Sequence, residues 1–138
     1  MSFLEEDFFE FIDTLKNEKN SIVIVEGPND RKALKAWDID IPIEVYRRPW
    51  VEFTEQIFEK FDKSVQIILL MDADPQGKEF HSKLRNEFEI YGYKVNSRYW
   101  MWIRRFHLTC IEGLTSPHFQ ELQLRYLSQK IDDKVRKN

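Results

Sequence analysis

Two carboxylates one residue apart, Asp72 and Asp74, stand where an unbroken apolar run, Ile67 to Met71, comes to an end. Side chains at i and i+2 of an extended chain point to the same side, so the pair is expected to face one crevice. Like charges held so close repel unless something cationic lies between them. A hard divalent ion with oxygen ligands suits that place. Mg2+ is the expected cofactor, with Mn2+ as a substitute. Such an ion holds phosphate oxygens, lowers the pKa of a bound water and offsets charge that develops during phosphoryl transfer. A plainer reading makes the aspartates caps for the helix that follows Pro75. One acid is enough for that task, so it leaves the second unexplained.

The apolar run is short and shows no alternation, which reads as a strand buried on both faces. Ligands of parallel sheets bind beyond the carboxyl ends of such strands, where Asp72 and Asp74 fall. Pro75 and Gly77 then turn the chain out of the strand. Ile22 to Val25 is a second run of this kind, and it too ends in a carboxylate, within Glu26-Gly27-Pro28-Asn29-Asp30. Gly27 permits a tight turn, and Pro28 can open the next helix. If the two strands are neighbours, Glu26 faces Asp72 and Asp74 across one crevice. Apolar flanks and nearby aspartates should push its pKa upward, which suits proton transfer. Its bland alternative is an acid answering a helix dipole.

An acid after one buried strand and an acid pair after another resembles the Toprim domain family. That family's signatures are a Glu-Gly-x-x-Asp turn and a downstream Asp-x-Asp followed shortly by Gly. Here they stand as Glu26-Gly27-Pro28-Asn29-Asp30 and Asp72-Ala73-Asp74-Pro75-Gln76-Gly77. The resemblance implies a Rossmann-like α/β fold, with Glu26 as general acid or base, and Glu26, Asp72 and Asp74 as metal ligands. Asp30 matches the last position of the first motif; it is either a supporting site residue or a surface acid in the first turn of a helix. Topoisomerases of the family need a tyrosine on a separate domain, and primases need zinc-binding and helical modules, for which this chain has no room. Its plan is closer to the small ribonucleases that mature 5S ribosomal RNA and to other small single-domain Toprim proteins. In those ribonucleases a Gly-x-Glu-His-Ala-Ser-type segment precedes the last helix. Cys110-Ile111-Glu112-Gly113-Leu114-Thr115-Ser116-Pro117 takes a similar place, with Gly-Leu where His-Ala would stand. Glu112 is thereby a candidate fourth acid. The resemblance spans about residues 22–122.

Cations could supply the nucleic-acid surface. Arg47 and Arg48 follow a strand-like stretch, Ile43 to Tyr46, on the side where the acids are expected. Arg98, Tyr99, Trp100, Trp102, Arg104, Arg105 and His107 interleave cations with aromatics, a composition suited to phosphate contacts and base stacking. The aromatics read as core. Arg104, Arg105 and His107 read equally as phosphate contacts or as solvated side chains. His81 and His118 have no partner at ligand spacing and are taken as surface or cap residues.

Composition bounds the reading. At 138 residues the chain makes one domain with a real core; the expected core spans about 20–128, with a frayed tail over 132–138. A hydrophobic fraction of 42% with 14% aromatics argues against disorder. The net charge of −3 means that any nucleic-acid surface is a local patch. The single cysteine, Cys110, excludes an internal disulfide and a cysteine-rich zinc site and fits a reducing, cytoplasmic setting. The amino terminus carries acids and phenylalanines rather than a secretory signal, and no apolar run approaches membrane-spanning length.

Around these motifs the elements alternate. Ser2 and Glu5 form a capping box for a helix to about Lys16, with Leu4, Phe8, Phe11, Ile12 and Leu15 at helical spacing. Further helices are expected over 29–37, after Pro49, from Pro75 to about Tyr91 with Gly92 as its stop, and from Pro117 onward with Phe119, Leu122, Tyr126 and Leu127 on one face. Tyr93 to Trp102 reads as a fourth strand, and 103–115 give no clear signal. Alternation of strand and helix implies a four-stranded, mostly parallel sheet flanked by helices.

The first functional expectation is a metal-dependent phosphodiesterase that cuts RNA or DNA, of an RNA-processing or DNA-repair kind. The second is a binding module that cuts only within a protein complex, or never. Phosphatases of the haloacid-dehalogenase kind also carry Asp-x-Asp after a strand. They need Thr or Val soon after the pair, where this chain has Pro75, Gln76 and Gly77, and they leave Glu26 without a role.

Overall fold

The computed structural model describes residues 2–103, 114 and 116–136. It is an α/β fold of the Rossmann-like kind, with one four-stranded sheet, all parallel, covered by helices on both faces. The strands are β1 (Ser21–Val25), β2 (Ile43–Val45), β3 (Gln66–Leu70) and β4 (Lys94–Asn96), in the order β2-β1-β3-β4. The helices are α1 (Ser2–Lys16), α2 (Pro28–Ala36), α3 (Trp50–Lys60), α4 (Pro75–Ile90), α5 (Arg98–Ile103) and α6 (Pro117–Arg136).

The order follows from where the apolar runs lie and how parallel strands connect. β1 and β3 are apolar on both faces, every residue of β1 being buried, so they take the centre. Ile22, Ile24, Ile67 and Leu69 turn to one face and meet Phe53 and Ile57 of α3 and Leu84 and Phe88 of α4. Val23, Val25, Ile68 and Leu70 turn to the other and meet α1, α2, α5 and α6 through Phe11, Leu34, Tyr99 and Leu122. The chain moves one way from β1 to β2, then reverses to reach β3 and β4. Right-handed crossovers place the connecting helix on opposite faces for opposite directions of travel, which matches α2 on one side and α3 with α4 on the other. The reversal also makes a topological switch point between β1 and β3, the place where open sheets form a crevice at their carboxyl edge.

The elements differ from the sequence reading at two places. The stretch Tyr93 to Trp102 is not one strand: β4 covers only Lys94–Asn96 and α5 begins at Arg98. Asn96 Oδ1 accepts the Arg98 N–H at 2.9 Å and the Ser97 carbonyl accepts the Met101 N–H at 3.1 Å. These polar residues open a helix, and Tyr99 and Ile103, four apart, form its buried side. The aromatic content suggested a strand, but the cap residues and the spacing of four decide for a helix. At the other end, α6 continues to Arg136 rather than fraying after Ile131, and every residue from Leu127 to Arg136 is exposed. Leu127, expected on the buried face, is therefore outside it; Phe119, Leu122 and Tyr126 form that face alone. Gly92 does close α4 as expected, with φ +89, a conformation that glycine adopts at no steric cost.

The two central strands hold the fold together, so truncation there should be costly. Leu69 is fully buried, and Leu69→Ala is expected to cost about 2–5 kcal/mol. Denaturant unfolding checks this: the midpoint should fall while the slope stays the same.

Candidate functional site

The register pairs Val25 with Leu70, so the residues just past β1 and β3 lie side by side at the switch point. Glu26 reaches across the gap, and its Oε1 accepts the Asp72 backbone N–H at 3.0 Å. Each following helix starts at this edge with proline in its first turn, where a missing N–H costs nothing. Asp30, in the first turn of α2, folds back so that its Oδ2 accepts the Gly27 N–H at 3.0 Å. Asp74 is the N-cap of α4, and its Oδ1 accepts the Gly77 N–H at 2.7 Å. The positive ends of two helix dipoles thus meet the acidic cluster.

Gly77 brings α4 onto the site. A Cβ at this position would lie 1.9 Å from the Asp72 carbonyl oxygen and 2.7 Å from Glu26 Oε1. No side chain fits there, so the first turn of α4 packs directly on the backbone that carries Asp72. Gly27 has a different status. Its φ of −144 and ψ of 167 are open to any residue, and a Cβ would meet only Asp30 Oδ2 at 3.7 Å. Gly27 permits the turn, but its backbone conformation does not require glycine.

The acids are unequal. Asp72 is half-buried, and its Oδ1 is a buried oxygen with no hydrogen-bond partner among the described residues. Burial pushes its pKa up to about 7; the charges of Glu26 and Asp30 add to this, and Asp74 adds least. The dominant charge coupling of Asp72 therefore runs across the strands to Glu26 rather than along the chain to Asp74. Glu26 is also raised, chiefly by burial, with hydrogen bonds from Asp72 opposing the shift. Asp74 is exposed and carries the cap that the plainer reading assigned to it. Asp30 is buried, at 5% exposure, not a surface acid; it holds the turn after β1.

Other expected site residues fall as follows. Arg47 and Arg48 are exposed beyond the carboxyl end of β2, on the same edge as the acids. Arg104, Arg105, His107 and Glu112 lie outside the described residues. His118 is exposed, but His81 is buried, contrary to expectation. Its ring stacks on Trp100 at 4.0 Å between centroids, its Nε2 pairs with Ser97 Oγ at 3.0 Å, and burial lowers its pKa to about 4. The signal for this was present: Gly77, His81, Leu84 and Phe88 follow one another at spacings of four, three and four, and together form the buried side of α4. Tyr91, just past the end of that helix, is half-exposed.

Among the described residues no three His, Cys, Asp or Glu side chains form a ready metal cage. The donor set nevertheless suits an ion that takes one or two carboxylates and keeps its waters. The partnerless buried oxygen of Asp72 is an acceptor in want of a cation or a proton.

Two outcomes follow from this geometry. Gly77→Ala should cost about 1–3 kcal/mol or more, because the clash is with backbone and cannot be relieved by a rotamer change; thermal unfolding measures it. Asp72 holds its proton to higher pH in the folded than in the unfolded state. The stability it contributes is present at low pH and is lost as pH rises from about 4 through about 7. With a chelator present, the melting temperature of Asp72→Asn relative to the wild type should accordingly rise between pH 5 and pH 8. A flat difference across that range would contradict the assignment.

No family model and no curated protein matches the chain. Among solved structures it is similar to a protein from Aquifex aeolicus, at 25% sequence identity and a TM-score of 0.65, over 75% of this chain and 94% of the Aquifex chain. That likeness covers the α/β architecture.

Proposed function

We propose that the chain is a metal-dependent phosphodiesterase acting on nucleic acid, with its site at the carboxyl edge between β1 and β3. The observation that carries this reading is the Asp72 carboxyl group. It is half-buried, its pKa is raised first by that burial and then by the neighbouring acids, and one of its oxygens lacks any partner among the described residues. A group in that state is suited to hold a cation. The Glu-Gly-x-x-Asp and Asp-x-Asp-x-x-Gly patterns, which resemble those of Toprim enzymes, add to the support, since both sets of acids meet at one crevice.

Asp72 and the exposed Asp74 would hold a Mg2+ ion, with Glu26 within reach of the same space. Such an ion supplies charge to the phosphate oxygens and lowers the pKa of a bound water. The chain's own residues do the rest. Asp74 and Gly77 anchor the first turn of α4, and Glu26 fixes the strand-end backbone through the Asp72 N–H. Hydrolysis adds water across a P–O ester bond, so one proton must leave the water and one must reach the departing oxygen. Glu26, whose pKa burial raises above the ordinary carboxylate range, would carry that proton.

A partner-dependent binding module is the second reading. The observation in its favour is that Glu26, Asp30 and Asp74 each hold a backbone N–H, which is a structural task.

Calorimetric titration with Mg2+ or Mn2+, paired with an oligonucleotide cleavage assay, separates the two. Asp72→Asn should abolish metal binding and activity while the domain stays folded. Glu26→Gln should lower cleavage by about 10²–10⁴-fold and leave most nucleic-acid affinity in place. Equal metal affinity in wild type and Asp72→Asn, or full cleavage by Glu26→Gln, would refute the enzymatic reading.

A further inference from the structure

Beside the acids, between the start of α3 and the first turns of α4, lies a cleft of about 550 Å³. Its walls include Tyr46, Arg48, Trp50, Gln76, Phe80 and Lys83. That size is within the range of small-ligand sites. Two stretches of backbone join the lining of the cleft to the acids. The Tyr46 N–H donates to the Val25 carbonyl at 2.8 Å, one residue before Glu26. Gln76 lies between the cap Asp74 and Gly77, which touches Asp72.

The lining is chemically specific. Tyr46 and Phe80 are 4.8 Å apart between ring centroids, and Trp50 and Phe80 are each half-buried. Phe80 already offers its ring face to a planar cation: the Arg48 guanidinium carbon stands 5.1 Å from its centroid. Lys83 is paired with Glu79 at 2.8 Å. Arg48 forms no ion pair among the described residues, although its charge reaches Glu79. Flat aromatic walls, a guanidinium free of a carboxylate clamp and a carboxamide edge together match a flat ring attached to a phosphate. From the sequence Trp50 and Phe80 read as members of the apolar faces of two separate helices. Only the fold shows that Trp50 and Phe80 turn part of their surface to a shared opening.

We infer that this cleft takes one unstacked nucleobase of a single-stranded nucleic acid on Trp50 and Phe80, with Arg48 on the adjoining phosphate, and so leads the backbone to Glu26 and Asp72. The inference rests on the nucleic-acid reading above and narrows it to single strands. Base–aromatic stacking tolerates every base, so binding here is insensitive to sequence. The phosphate contact positions the strand without reading it.

The test uses the full chain with Mg2+ on a Glu26→Gln background, where cleavage does not consume the probe. Fluorescence anisotropy compares a labelled oligothymidylate with an abasic strand of equal length. Phe80→Leu keeps the apolar bulk and removes the aromatic face; it should weaken oligothymidylate binding about tenfold, as should Trp50→Ala. The abasic strand should bind the parent about as weakly as oligothymidylate binds Phe80→Leu. Arg48→Ala, an exposed change, should flatten the log–log salt slope by about 0.7. An abasic strand bound as tightly as the intact one overturns the inference, as does unchanged affinity in both aromatic variants. No binding of oligothymidylate by the parent overturns it too. If the wild type never cleaves yet binds through Trp50 and Phe80, the enzymatic reading fails and the cleft stands. If it cleaves and Phe80→Leu has an unaltered KM, the cleft alone fails.

Discussion

The parallel pairing of β1 with β3 is the constraint on which the rest depends. In register, it sets Glu26 against the backbone of Asp72, and the 3.0 Å bond between them closes the crevice floor. Everything else near the site can be traced to that contact. α4 must leave β3 immediately, so its first turn lies against the Asp72 carbonyl, and only glycine at position 77 leaves room. Asp74 then caps the helix, one of its carboxylate oxygens accepting the Gly77 N–H. Burial, with charges of neighbouring acids adding to it, raises the pKa of Asp72 and of Glu26.

Such a site is stable only in part. A carboxyl that holds its proton to near neutrality is a liability for the metal-free fold above that pH and an asset for binding a cation. The surrounding structure offsets the cost in a simple way. Both central strands are apolar on their two faces, and the helices on each side bury Phe11, Leu34, Leu84 and Phe88 completely. A core of that kind tolerates one unsatisfied oxygen at its edge. The same arrangement places aromatic side chains of α3 and α4 partly in the core and partly at the rim, so Trp50 and Phe80 contribute to packing and to the walls of the cleft together.

Much of the architecture was legible in residue order. Two short apolar runs without alternation, Ile22 to Val25 and Ile67 to Met71, read as strands buried on both faces, and carboxylates at their ends marked the expected crevice. Pro28, Pro75 and Pro117 announced helix starts, and Gly92 announced a stop. The failures have local causes. Between Tyr93 and Trp102 the aromatic content pointed to a strand, while Asn96 and Ser97 in fact open a helix. His81 seemed to be at the surface because a lone histidine has no periodic mark of its own; its place in the stripe of Gly77, Leu84 and Phe88 gives it away.

The sequence by itself put carboxylates at the ends of two buried strands, because strand polarity and run length are local properties; that Glu26 meets Asp72 was decided by the pairing of β1 with β3. The sequence also determined the kind of chemistry open to them, since carboxylates can bind cations and carry protons wherever they are placed. The division of labour among those acids was decided only by tertiary structure. Asp72 couples to Glu26 rather than to Asp74, Asp30 is buried under the first turn, and Gly27 proves replaceable where Gly77 does not. The physical reason is that burial, the path of a backbone N–H and the clearance around a Cβ depend on neighbours brought in from other strands and helices, and no window of the chain contains them.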